Sequence, residues 1–151
     1  MISDIRELYQ SVILDHNKRP RNFREPAGAN CSAAGVNPLC GDRIVIYLSV
    51  ENGVVEDVGF KGTGCAISTA SASLMTQSIK GKRIDEIEQI FDGFHGMVTS
   101  EPNQDVSDER LGKLSVFSGV REFPVRVKCA TLAWHAMREA LHDTGVTATT
   151  E

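Results

Sequence analysis

Four residues in this 151-residue chain combine the types that hold a soft metal ion: Cys40, Asp42, Cys65 and Cys129. Three thiolates and one carboxylate suit a tetrahedral ion such as Zn²⁺. Cys40 and Asp42 flank Gly41, while Cys65 and Cys129 follow at intervals of 25 and 64 positions. Those intervals match no compact zinc-knuckle pattern, and thiols of a cytosolic chain also serve as core filler or as nucleophiles. From spacing alone, packing and metal binding both stay open.

The other candidates are weaker. Cys31 is a rival fourth ligand, but its neighbours Asn30, Ser32 and Ala33 place it in a loop as an incidental thiol. His135 and His142 are seven apart on one helix, a spacing of two turns rather than of chelation at i, i+4. His95 reads as a loop residue, and His16 as a cation at a helix end, where it suits the dipole. Gly62-Thr63-Gly64 before a helix has the look of a phosphate cradle, yet no Lys-Ser or Lys-Thr pair follows at the required spacing.

The elements that must position these residues can be read from periodicity. Ser3 caps a helix whose face carries Ile5, Leu8, Tyr9, Val12 and Ile13, and Pro20 stops it. Residues 21–37, rich in Gly, Ala, Asn and Pro, read as a loop with at most a weak strand in 27–37. Arg43 to Val50 alternates as a half-buried strand, Asn52-Gly53 fits a tight primed turn, and Val54 to Phe60 returns. A helix opens at Cys65 and ends at Lys80-Gly81-Lys82, and a second runs from Asp85 to Phe94. The polar residues 95–107, with Gly96, Pro102 and Asn103, read as a mobile excursion, followed by a short helix over 108–116. Pro124 starts a last helix that runs to about His142. The chain is thus predicted to be a single α+β domain over 1–143 with a frayed tail over 144–151. Its helices lie on one face of a small antiparallel three-stranded sheet. In that arrangement Cys40, Cys65 and Cys129 all fall at element boundaries, where separate segments can converge.

Composition excludes several function classes. The chain is 41% hydrophobic and 24% charged with net charge −4, the profile of a globular protein without the basic footprint of a nucleic-acid binder. No run approaches the roughly 18 apolar residues that span a bilayer. The charges at Asp4, Arg6 and Glu7 argue against a secretory leader. The expected setting is a reducing cytoplasm, where an even cysteine count does not imply disulfides.

Several segments together are distinctive: Leu14-Asp15-His16, Arg19-Pro20-Arg21-Asn22-Phe23, Asn37-Pro38-Leu39-Cys40-Gly41-Asp42, Gly62-Thr63-Gly64-Cys65-Ala66-Ile67-Ser68 and Lys128-Cys129-Ala130. They resemble the IscU/NifU-like iron–sulfur cluster assembly family from about Tyr9 to Leu141. The resemblance implies a SufE/NifU-like sandwich with a metal site of Cys40, Asp42, Cys65 and Cys129. Lys128 stands where scaffold-type relatives have histidine, and the Cys65–Cys129 interval is longer than theirs by roughly twenty residues. Both features resemble the SufU branch. That likeness implies a zinc-dependent sulfurtransferase that accepts persulfide sulfur on Cys40 from a SufS-type cysteine desulfurase and serves downstream assembly proteins. The alternative it implies is a scaffold holding iron or a [2Fe–2S] cluster on Cys40, Cys65 and Cys129. Scaffold types also carry a chaperone-read Leu-Pro-Pro-Val-Lys segment, which here is Glu122-Phe123-Pro124-Val125-Arg126. With Zn²⁺ the four ligands leave a formal charge of −2, which Arg126, three residues before Cys129, and Lys128 can offset.

Overall fold

A computed structural model describes residues 2–105, 108–142 and 148–149, with the backbone alone at 2–6, 8 and 148–149. Helix α1 (Ile2–Lys18) leads into strands β1 (Cys31–Asn37), β2 (Asp42–Glu51) and β3 (Val54–Thr63). Helices α2 (Ala66–Ile79) and α3 (Ile84–Val98), a 3₁₀ helix (Gly112–Val120) and α4 (Pro124–His142) follow, then a two-residue strand β4 (Ala148–Thr149). β1, β2 and β3 form the expected antiparallel sheet, with order β3-β2-β1-β4. β4 adds a short parallel edge by pairing Ala148 with Gly35 and Thr149 with Val36. The remaining tail residues, 144–147 and 150–151, lie outside the described residues, as do 106–107.

The β2–β3 hairpin forms for the reason its sequence suggests. Asn52 at φ 52° and Gly53 at φ 75° take the left-handed conformation that a primed turn requires. Along β2 the side chains of Asp42, Ile44, Ile46 and Leu48 all turn inward in period two. They meet α4, which lies across β1 and β2; α2 packs against β3 and α4, α1 packs on α2, and the 3₁₀ helix packs against α1, α3 and α4. Phe94 and Trp134 stack at the centre with ring centroids 4.4 Å apart. Tyr9, Val12 and Ile13 of α1 join this core as predicted, whereas the side chains of Ile5 and Leu8 lie outside the described residues.

Three sequence expectations change. Cys31–Asn37 is a full strand rather than loop, because it pairs residue for residue with Asp42–Leu48. Its small residues hide the alternation. Gly35 is small for a reason, since a Cβ there would meet Leu132 Cδ1 at 3.0 Å and Ala136 Cβ at 3.2 Å. Helix α3 extends through His95 to Val98, so the excursion does not begin at residue 95. Met97 and Val98 are buried and hold the last turn despite Gly93 and Gly96. The following short helix is of 3₁₀ type and lies over Gly112–Val120, four residues later than expected at its end, because Phe117 and Val120 supply its buried anchors.

Candidate metal centre

Three segments meet at one end of the sheet. β1 ends at Asn37, and the chain turns back through Pro38–Gly41 under a 3.2 Å hydrogen bond from Cys40 N–H to Asn37 O. Pro38 presets φ for such a turn, and Gly41 completes it at φ 70° with nothing within 4 Å of a would-be Cβ. Cys40 at this turn is exposed.

Asp42 then opens β2 on its inward face, in phase with Ile44, and is 2% exposed. A carboxyl group buried there needs partners. Oδ1 accepts from the Cys65 N–H at 2.9 Å and Oδ2 from the Ser68 hydroxyl at 2.6 Å. Gly64 admits this approach, because a Cβ at that position would stand 3.3 Å from Asp42 Oδ1. Asp42 is thereby tied to the start of α2.

Cys65 is the N-cap of α2, with extended backbone at φ −68° and ψ 170°. Its sulfur accepts from the Ser68 N–H at 3.4 Å, taking the place of the usual hydroxyl or carboxylate cap at the end of the helix where negative charge is stabilised. Cys129 faces the same point from the second turn of α4 and is 3% exposed. Its sulfur lies 3.6 Å from the Cys40 sulfur and 3.6 Å from Asn37 Nδ2, which donates to it.

Ligand atoms of Cys40, Asp42 and Cys129 all lie within 4.8 Å of one another. Cys65 stands beside Cys129, with which it interacts directly, but outside that mutual group. Two thiolates on a tetrahedral ion with bonds of about 2.3 Å would sit about 3.8 Å apart, close to the separation seen for Cys40 and Cys129. The electrostatics point the same way. Burial pushes the Cys129 thiol well above its ordinary range; contact with Cys65, then Cys40 and the charge of Asp42, push it further. Converging donors that oppose one another's ionisation are what a divalent cation relieves. The donor set therefore fits Zn²⁺.

The remaining predicted candidates fall elsewhere or at the margin. Cys31 starts β1, six residues and roughly 20 Å of strand from Asn37, too far to serve as a ligand here. His135 packs against His95 and Phe91, with ring centroids 5.6 Å apart in each pair, and His142 bonds Glu88 at 2.9 Å. His16 is buried against Ser73, Nδ1 to Oγ 2.7 Å. Arg126 is exposed with its guanidinium 4.3 Å above the Phe123 ring.

Three residues outside the predicted set join the site. Ser68 orients Asp42, and Asn37 touches Cys129. Tyr9 buries its hydroxyl close by. Burial raises its pKa against the opposing pull of Arg126, and Cys65 and Cys129 add to the rise, so its hydroxyl feels both the site and the nearby cation. The signal for Asn37 was its place in the segment that leads to Cys40, but its inward direction is visible only once the strand and its register are known.

Comparison with known proteins gives a consistent picture. The family model for the NifU-like N terminal domain matches residues 8–130. The zinc-dependent sulfurtransferase SufU of Bacillus subtilis is 42% identical over 134 residues, 89% of this chain and 89% of that protein. The iron–sulfur cluster assembly scaffold protein IscU of Streptococcus pyogenes is 39% identical over 140 residues, covering 93% and 86%. A crystal structure from Fervidobacterium islandicum, described as a candidate assembly scaffold for the SUF system, superposes with a TM-score of 0.81 at 30% identity, covering 89% of this chain and 97% of that one.

Proposed function

This chain belongs to the NifU-like N terminal domain family, and from that premise we propose that it is a zinc-dependent sulfurtransferase of iron–sulfur cluster assembly. Its sulfur donor is a cysteine desulfurase of SufS type, and its product goes to downstream assembly proteins in the cytoplasm. The observation that carries the reading is the unequal exposure of neighbouring sulfurs. Cys40 is exposed while Cys129, 3.6 Å away, is buried. A protein-borne persulfide can reach only the former.

Cys40, Asp42, Cys65 and Cys129 would hold the zinc, which supplies thiolates at neutral pH and a fixed meeting point for three segments. The transfer itself belongs to Cys40. Its thiolate attacks the outer sulfur of the donor's persulfide, forming a new S–S bond as the donor's S–S bond breaks. The donor cysteine leaves as a thiolate, and the sulfane sulfur moves without an external oxidant or reductant. Arg126 and Lys128, preceding Cys129 on α4, offset the anionic charge of the ligand set. The exposed Leu39, 65% accessible beside Cys40, and Val125, 52% accessible one turn before Cys129, give the donor an apolar rim to settle on.

The scaffold reading uses the same thiols, and a relative named as a scaffold matches at similar identity. Two measurements separate them: metal content after aerobic purification, and alanine release by the cognate desulfurase with and without this protein. Colourless protein with one zinc per chain and faster alanine release supports sulfur transfer. Brown protein that activates an apo-enzyme and leaves alanine release unchanged overturns it.

A further inference from the structure

We infer that Asn37 is a positioning residue for the Cys129 sulfur, its side-chain amide N–H fixing that sulfur as a metal-holding thiolate and leaving transfer to Cys40. The inference rests on the zinc reading above.

Asn37 is the last residue of β1 and is fully buried. It shares the inward face with Gly35, whose missing side chain lets α4 come close at Leu132 and Ala136. Cys129 lies one helical turn before Leu132, which brings its sulfur over the Asn37 amide at 3.6 Å. The amide is poorly suited to packing alone, because its Oδ1 has no hydrogen-bond partner. A leucine of the same branching would leave no buried carbonyl unpaired. What the site gains from the amide is a donor aimed at sulfur. A neutral thiol accepts hydrogen bonds weakly, whereas a thiolate accepts them strongly, so the bond matters when Cys129 is ionised.

The three site sulfurs differ in this respect. Cys65 accepts from the Ser68 backbone N–H and Cys129 from the Asn37 amide. Among the described residues Cys40 accepts no N–H at all; its sulfur faces the Cys129 sulfur at 3.6 Å. An N–H donor draws electron density from a ligating thiolate and fixes its direction. Two sulfurs are thus anchored and quietened, and the third, at the surface, is left the most nucleophilic of the set. The hydrogen bonds select the reacting thiol as much as exposure does.

The test compares wild-type protein with Asn37→Leu in two measurements: zinc affinity by chelator competition, and the thiolate-to-metal charge-transfer band after loading with Co²⁺. The expected result is a loss of about tenfold in zinc affinity and a shift of the band to lower energy, as an unshielded sulfur is easier to oxidise. A merely structural role would not move the band. Should leucine disturb the turn, seen as a lost far-ultraviolet signal, Asn37→Ala removes the donor without adding bulk and is read in the same way. Affinity within twofold of wild type together with an unmoved band overturns the inference while leaving the zinc reading intact. Wild-type protein that takes up no zinc overturns both.

Discussion

The sulfurs of Cys40 and Cys129 stand 3.6 Å apart although 89 positions separate them in the chain, one at an exposed turn and the other 3% exposed on a helix. Under the proposed function, proximity with opposite exposure lets one sulfur react while its neighbour holds. Replacing Cys40 by Ala removes a side chain at an exposed turn and, compared in chelated protein where zinc binding does not enter, should cost no more than about 0.5 kcal/mol of stability. The same change should abolish stimulation of desulfurase turnover. Alanine release and a thermal melt check the two halves, and full stimulation by the variant sinks the assignment of Cys40.

Ser68→Ala separates the support of the site from the site itself. The hydroxyl donates to Asp42 Oδ2 at 2.6 Å in a buried setting. Losing that donor should cost about 1–3 kcal/mol in the chelated protein, read by urea unfolding. Zinc affinity should fall as well, since an orienting partner of a ligand is gone.

Chelation should lower the melting temperature without unfolding the chain. Zinc at about a thousand times its Kd stabilises the native state by about 4 kcal/mol, which for a chain of this length corresponds to roughly 10 °C. The core of Ile46, Leu48, Phe60, Phe94 and Trp134 does not depend on the ligands. Circular dichroism should therefore show full helix content after chelator treatment at 25 °C. Complete loss of helix would point instead to a structural zinc.

Gly35→Val should destabilise by about 1–3 kcal/mol through overpacking. Even a single Cβ at Gly35 would press on Leu132 and Ala136. Denaturant unfolding measures the cost, and zinc affinity should drop with it because α4 carries Cys129.

Stability should fall as pH drops below about 6.5. Burial of His16 lowers its pKa, with the charge of Arg21 acting in the same direction. The Arg21 N–H donates to Ser73 Oγ, whose own proton is then free for His16 Nδ1, an arrangement that suits the neutral ring. Because the unfolded chain binds a proton at higher pH than the folded one, the stabilisation is full above the unfolded value of about 6.5. It is lost progressively below that value until the folded group titrates. His135, lowered chiefly by burial, adds in the same sense. Melting temperatures at pH 7.5, 6.5 and 5.5 should decline, and His16→Asn should flatten the decline.

Much of this was legible before any coordinates. The period-two run of β2, the Asn52-Gly53 turn and the helical faces of α2 and α4 depend on local periodicity, and they put Cys40, Cys65 and Cys129 at element ends. What the sequence hid was set by tertiary contact. Cys31–Asn37 lacks alternation because its small residues answer to the shape of α4 rather than to solvent. The last turn of α3 contradicts its glycines because Met97 and Val98 are buried. Asn37 and Ser68 stand in the distinctive segments around Cys40 and Cys65, and Tyr9 on a helix face, but a polar residue announces its part in a site only when its direction is known.

The sulfur of Cys65 serves as the cap of α2, bonded to the Ser68 amide. That single amide is consequently an internal gauge of the site's chemistry. Whatever alters the electron density on the sulfur, ion uptake and ion release above all, must displace the Ser68 N–H resonance in a nitrogen–proton spectrum. Metal uptake and loss can then be followed at a ligand sulfur, in solution and in real time.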